Sequence, residues 1–418
     1  MRRLNMHGND IDTGACLDTY VEEMSAGLRG EGCLPMVPTY IPGNLSPGEG
    51  TPVLAVDVGG SNLRVALIRV EEGGAAAVER YEKYPLPGLA GPICAAEFFD
   101  TIAGYVLPYM AATQRVSFSF AHEINQESGH DGCVGALSKE LQIDGISQCR
   151  LGESLKAALH RRGYGGVQTV VFNDTVGVAA SMAHRGCEYD GFVGLVMGTG
   201  TNTCYIEAGA NIQKIDPCGM DSMYINVESA EFCKMPLGRA DKQLDAVTEM
   251  PGMGLLEKMI SGRYIGELFW FVAKNAVDEG ELSDGFAARF AKHVRLGTMD
   301  FSVFMDGQPG AYRSMCACAA DETFLLETGR LLVRRGARMI ALEVAGAAVK
   351  SGRGKDPGRP VCVVAEGTTY YSLPGLQSEV EKQTRSLLNS RGVYVRFCHV
   401  EQAAIQGIGI IGLSLMRD

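Results

Sequence analysis

The sequence predicts an α/β protein made of two related halves. Two observations carry that expectation. A strand, a glycine turn and a returning strand occur twice, about 140 positions apart, and strand patterns interleave with helical ones along the chain. In the first copy, Val58-Gly59-Gly60-Ser61-Asn62 follows Val53-Leu54-Ala55-Val56 and returns through Arg64-Val65-Ala66-Leu67-Ile68. In the second, Met197-Gly198-Thr199-Gly200-Thr201-Asn202 follows an apolar run over 192–196 and returns through Thr203-Cys204-Tyr205-Ile206. Short β-prone runs joined by glycines are a hairpin signal. Glycines beside Ser or Thr also let main-chain N–H groups converge on an anion, because no Cβ blocks the approach. Two such turns in equivalent halves point to one polyphosphate held between them.

The other elements follow from local pattern. A helix is expected near 16–28, then a Pro/Gly-rich strap over 32–50. Three strands (53–58, 64–70, 77–84) precede a helix over 95–112 and a strand over 115–120. A loop-rich stretch runs to about residue 150, followed by a helix (151–162), a strand (167–172) and a helix from Thr175. Beyond the hairpin at 192–207, apolar residues at helical spacing predict helices over 255–274 and 324–351. A strand (361–365), a helix (376–388), a strand (393–400) and a closing helix (404–416) complete the chain. No Gly-x-Gly-x-x-Gly opens a helix, which argues against a dinucleotide-binding unit.

Composition bounds the function. At 418 residues, two or three domains are expected at roughly 100–200 residues each. A net charge of -11 disfavours a nucleic-acid partner, which needs a basic face, but leaves room for a nucleotide. No apolar run approaches the roughly 18–20 residues that span a bilayer, and residues 1–10 lack an apolar secretion core. The expectation is a soluble cytoplasmic protein with a small-molecule substrate and no membrane partner; oligomeric state is not legible. The thirteen cysteines are irregularly spaced with no Cys-x-x-Cys, so buried free thiols are expected in place of zinc ligands or disulfides.

One dipeptide stands out. Asn173-Asp174 ends a buried-looking strand where the halves would meet. Taken alone, Asp174 reads equally well as the cap of the helix beginning Thr175-Val176-Gly177.

Six segments, in order, resemble the eukaryotic-type hexokinase and glucokinase family. The segment 54–65 looks like its first phosphate motif, and 197–202 its second. Ser117-Phe118-Ser119-Phe120 with Leu137-Ser138-Lys139 is similar to its sugar segment, and Val171-Phe172-Asn173-Asp174-Thr175 to its catalytic strand end. Ile225-Asn226-Val227-Glu228 and Leu256-Glu257-Lys258 resemble its two sugar-binding glutamate segments.

The resemblance implies a duplicated actin-like (ribonuclease H-like) two-domain fold. A small domain (51–172 plus 403–418) would close on a large one (1–50 plus 173–402). It further implies transfer of the γ-phosphoryl group of ATP, with Mg2+, to a hexose 6-hydroxyl. Asp174 is then the expected general base, and Lys139 the group that neutralises the transferring phosphoryl. Sugar contacts are expected from Ser119, Ser138, Lys139, Asn173, Asp174, Asn202, Glu228 and Glu257. Phosphate and nucleotide contacts are expected from Asp57, Gly59, Gly60, Ser61, Asn62, Arg64, Gly198, Thr199, Gly200 and Thr201. Asp57 would reach magnesium directly or through water. Val364-Ala365-Glu366-Gly367-Thr368 resembles the family's adenosine-side loop with Glu366 where Asp is usual, which adds Gly367 and Thr368.

The chain also departs from the pattern: Ala121 stands where Pro is usual, Leu137 where Trp is usual, Ser229-Ala230 for Trp-Gly, Gly254 for a frequent Gln, and Ala403-Ala404 for a Gly-Ser turn. Most of these surround the sugar. Glucose is therefore the leading acceptor, with a kinase of another hexose such as N-acetylglucosamine as the alternative. A non-catalytic sugar sensor on the same scaffold is the third reading.

Overall fold

The computed structural model describes residues 13–48, 50–60, 62–71, 73–135, 137 and 141–416. Helix α1 (Thr13–Gly27) leads to strand β1 (Val37–Pro42), then to β2 (Val53–Val58), β3 (Asn62–Val70) and β4 (Ala76–Pro85). A short β5 (Ile93–Cys94), α2 (Ala95–Val106), β6 (Arg115–Phe120) and the small strands β7 (Ile124–Gln126), β8 (Gly132–Val134) and β9 (Ile143–Asp144) follow. Then come α3 (Leu151–His160), β10 (Gln168–Phe172), α4 (Asp174–Ala180), β11 (Gly191–Met197), β12 (Thr201–Ala208) and β13 (Ser222–Asn226). The helical section holds α5 (Arg239–Asp245), α6 (Leu255–Ile260), α7 (Ile265–Asp278), α8 (Asp284–Phe290), α9 (Thr298–Met305), α10 (Ala311–Met315) and α11 (Ala319–Lys350). The chain closes with β14 (Val361–Glu366), α12 (Thr368–Ser372), α13 (Leu376–Asn389), β15 (Val395–Cys398) and α14 (Ala403–Leu415).

Two mixed sheets result. The five-stranded sheet runs β10-β6-β2-β3-β4, and the six-stranded sheet runs β1-β13-β12-β11-β14-β15. Within each, a glycine turn joins an antiparallel pair, β2 with β3 and β11 with β12. Every residue of β2 is buried because both faces of the sheet are covered. Leu54, Val56 and Val58 join the core under α2 and α3; Val53 and Ala55 join a middle core with α4, α14 and the inner face of the other sheet. In β14, Val361, Val363 and Ala365 likewise face the α1/α11 core, while Cys362 and Val364 face the middle. Such continuously apolar strands are what two-sided burial demands.

The middle layer is thin because α4 and α14 cross at glycines. A Cβ on Gly177 would stand 3.0 Å from the Ala404 carbonyl oxygen, and one on Gly407 would press on the Gly177 backbone. Only a bare backbone permits this approach. A buried ion pair ties the helical section together: the Arg335 guanidinium meets Asp241 Oδ1 at 2.7 Å, with both side chains almost wholly inaccessible. Asp241→Ala leaves that cation unpaired in the core and is expected to cost about 3–5 kcal/mol, read as a lowered melting temperature.

Two expectations are corrected. The strap over 32–50 contains a strand, β1, which pairs with β13, itself not foreseen from the sequence. The single helix over 255–274 is two helices, α6 and α7, because Ser261 turns extended (ψ 162°) and the Gly262 N–H turns outward to the Gly198 carbonyl, 2.9 Å away. All thirteen cysteines carry free thiols, as expected, but only Cys204 and Cys362 are buried, against the expectation of buried thiols. Among the described residues, no helix is long and apolar enough to cross a membrane.

Candidate active site

The two glycine turns are closed by short main-chain bonds. The Gly59 N–H donates to Asn62 O at 3.0 Å, and the Gly198 N–H to Gly200 O at 3.0 Å. Gly60 and Thr199 lie exposed at the tips. The second turn is braced from outside: Gly198 O accepts from Gly262 N–H (2.9 Å) and from Thr369 Oγ1 (2.9 Å), and Thr199 O accepts from Arg263 N–H (3.0 Å). Gly367 adopts φ 129°, and a Cβ there would strike Met197 and Gly198, so the 366–369 loop can lie directly on the turn. Thr368 is exposed beside it. Ser61, Ser138 and Lys139 lie outside the described residues.

Asp57, the penultimate residue of β2, is fully buried. Its Oδ1 accepts from Ser119 Oγ at 2.7 Å across the β2–β6 register, and its Oδ2 meets the Arg64 guanidinium at 2.6 Å. The other Arg64 Nη lies 3.0 Å from Glu366 Oε1, and Glu366 Oε2 accepts from the Ala404 N–H at the start of α14, 2.6 Å away. Asp57, foremost, and then Glu366 hold the Arg64 guanidinium firmly charged. Glutamate in place of the usual Asp supplies the reach for both contacts. Ser119 is fully buried, and its hydroxyl donates to Asp57.

Asn173 and Asp174 divide the work at the start of α4. Asn173, not Asp174, is the cap: its Oδ1 accepts from Thr175 N–H at 3.0 Å, while its Nδ2 donates to Phe120 O and His122 O, each at 3.3 Å. Asp174 is thereby freed from the capping role and stands half-buried in the first turn. Its carboxyl is pushed up to about 7, first by withdrawal from water, then by the Asp57 and Glu366 carboxylates; Arg64 opposes the shift.

On the other side of the cleft, Glu228 occupies a left-handed backbone position (φ 56°), strain of the kind concentrated at functional sites. Asn226 Nδ2 donates to Glu228 Oε1 at 2.5 Å and Asn202 Nδ2 stands 3.4 Å from the same oxygen. The Asn202 amide is otherwise engaged with Asn226 Oδ1 (2.8 Å) and the Thr203 N–H (2.8 Å), so it lies beneath Glu228 and orients it. Burial, then Glu123, pushes the Glu228 carboxyl to about 8, with Asp174 and Glu257 adding to the shift. Asp174 and Glu257 thus both act on the Glu228 carboxyl. Glu257 Oε2 accepts from the Thr201 N–H at 3.1 Å, and burial pushes its carboxyl to about 7. A Cβ on Gly200 would stand 2.5 Å from that carboxylate, so a side chain there would push Glu257 aside.

Sequence reasoning missed Glu123, Asn226 and Glu231. Glu231 accepts the Gly254 N–H at 3.3 Å, and only its position three residues after Glu228 could have marked it. No group of three or more His, Cys, Asp or Glu among the described residues is arranged to cage a metal ion. Asp57 fits instead a magnesium ion that arrives on a nucleotide and keeps most of its ligands as phosphate oxygens and water.

Comparisons with known proteins agree with this arrangement. Hexokinase family models match residues 9–184 and 192–414. Hexokinase-1 of Schizosaccharomyces pombe is 32% identical over 286 residues, a match spanning 64% of this chain and 58% of that protein. Hexokinase-9 of Oryza sativa subsp. japonica is 28% identical over 436 residues, spanning 95% of this chain and 85% of that one. The structure of a hexokinase from Schistosoma mansoni complexed with glucose superposes with a TM-score of 0.82 at 23% identity, covering 99% of this chain and 97% of that one, and so shares its fold. With both halves matched in order and the two sheets in place, the chain belongs to the hexokinase family of sugar phosphotransferases.

Proposed function

We propose that this chain transfers the γ-phosphoryl group of ATP to the 6-hydroxyl of glucose or a close relative, with Asp174 as general base. The observation that carries this reading is the position of Asp174. Its carboxyl interacts with Asp57, Glu366 and Arg64 beside the first glycine turn, and it acts in turn on the Glu228 carboxyl. A phosphate-binding side and a hydroxyl-binding side therefore meet at one titratable group.

In the proposed reaction the sugar hydroxyl gives its proton to Asp174 as its oxygen bonds to the γ-phosphorus. The bridging P–O bond then breaks, and ADP leaves. Phosphoryl transfer needs mainly positioning and charge neutralisation. Main-chain N–H groups of the two turns suit the polyphosphate, while Arg64 keeps Asp57 ordered. Magnesium enters with ATP and offsets the phosphate charge. Glu228 and Glu257 suit sugar hydroxyls, since their oxygens would otherwise be poorly solvated. The small lobe (51–172 plus 403–418) and the large lobe (1–50 plus 173–402) would close over the ligands and keep water from accepting the phosphoryl group.

A coupled assay of ADP release against a sugar panel tests the reading. Release should require sugar and magnesium; hydrolysis independent of sugar as the main activity would sink it. The pH profile adds a signed expectation. A base must be ionised, and the Asp174 carboxyl is pushed up to about 7. So kcat/KM, which reports the free enzyme, should fall as pH drops below about 7, approaching tenfold per unit. A profile flat down to pH 5.5 would contradict the assignment.

A second acceptor is favoured by Gly254. It has φ 59°, and a Cβ placed there would find its nearest neighbour, Glu231 Oε1, 4.0 Å away. Open space beside Glu257 suits a 2-substituted hexose such as N-acetylglucosamine. The ratio of kcat/KM for the two sugars decides between them.

A further inference from the structure

Glu343 lies in the middle of α11, wholly inaccessible, within the apolar run Met339-Ile340-Ala341-Leu342 and Val344-Ala345. Among the described residues no cation pairs with it. Its carboxyl faces the back of the active site. Thr201 Oγ1 stands 3.2 Å and 3.0 Å from its two oxygens, and Thr201 belongs to the second glycine turn. The Ser229 hydroxyl, one residue beyond Glu228, also acts on it, favouring its charged form. Ser229 Oγ in turn lies 2.5 Å from Thr203 Oγ1 and accepts from the Tyr20 hydroxyl at 3.1 Å. All four partners are buried. The same Thr201 donates its N–H to Glu257.

We propose that Glu343 is a positioning residue for phosphoryl transfer, an uncharged acid that ties the second glycine turn, through Thr201, to the Glu228 loop, through Ser229. The inference rests on the kinase reading above. A lone carboxylate in this setting would be prohibitively costly, whereas a carboxylic acid has the donor and acceptor that a hydroxyl cluster can satisfy. The ionisable groups facing it are Glu257 from α6 and Tyr20 from α1, neither of which supplies positive charge. Burial pushes the Glu343 carboxyl to about 8, in keeping with a proton held at neutral pH. The consequence for function is coupling. One rigid hydroxyl cluster sets both the turn expected on the nucleotide phosphates and the glutamates expected on the sugar.

Glu343→Ala removes the tie and Glu343→Gln restores a neutral hydrogen-bonding head of the same length. In Glu343→Ala, KM for the sugar and KM for MgATP should rise together, by at least about fivefold each, and Glu343→Gln should recover most of that loss. Both constants staying within about twofold of wild type in Glu343→Ala would overturn the proposal, as would a Gln variant as impaired as Ala. Differential melting keeps the test open should Glu343→Ala not fold or the chain not phosphorylate sugars. An acid with a folded pKa raised from 4.5 to about 8 contributes stability that is fully present below the lower value and lost as pH rises through the upper one. The melting temperature of Glu343→Gln minus that of wild type should therefore grow between pH 5 and 8.5. A constant difference would show that Glu343 is already charged, and the proposal would fall regardless of activity.

Discussion

Asp174→Asn is expected to lower kcat by about 10²-fold or more while sugar binding stays largely in place. The amide keeps the shape and hydrogen-bonding capacity of the carboxyl but cannot take a proton from the sugar hydroxyl. The helix start should survive, because Asn173 and not Asp174 caps α4. Stability should hold or rise, since the replaced carboxyl faces Asp57 and Glu366. Coupled kinetics, titration calorimetry with sugar and a thermal melt together check this. Unchanged turnover in a folded, sugar-binding variant would remove Asp174 from its assigned role.

Asp57→Ala is the second large effect. Its carboxylate stands fully buried beside the first glycine turn, held by Ser119 and Arg64. Removing it would take away the group proposed to orient the magnesium of MgATP, and it frees one arm of Arg64. A loss of about 10²–10³ in kcat/KM is expected, the range seen when one preorganised charge-stabilising group is deleted. Arg64 retains Glu366 as a partner and is partly solvated, so the fold should tolerate the change better than the chemistry does. The distinguishing measurement is a magnesium titration at saturating sugar: the variant should need more metal or nucleotide. Identical MgATP dependence would place Asp57 outside the phosphate side of the reaction.

Much of the framework was legible because its signals are local. A glycine turn between two apolar runs needs only its own residues to declare itself, and both turns lie where the sequence puts them. The same holds for β14, α13 and α14 within a few residues. Elements that depend on a distant partner were not legible. Strand β1 exists because β13 offers it an edge almost two hundred residues away, and the 255–274 helix breaks because Gly262 is drawn to Gly198. The bond from Ser119 to Asp57 likewise depends on strand register, which sets the two side by side.

By itself the sequence determined which residues carry charge, where glycine allows backbone to approach an anion, and that Asp174 follows a buried strand. Tertiary structure decided how those groups behave. Asn173 relieves Asp174 of capping, Arg64 bridges Asp57 to Glu366, and a glutamate lost among the apolar residues of α11 comes to rest under the second turn. The reason is physical. Residue type and spacing act over a few bonds, whereas burial and hydrogen-bond partners, which set a carboxyl's proton affinity, depend on segments that meet only when the chain is folded.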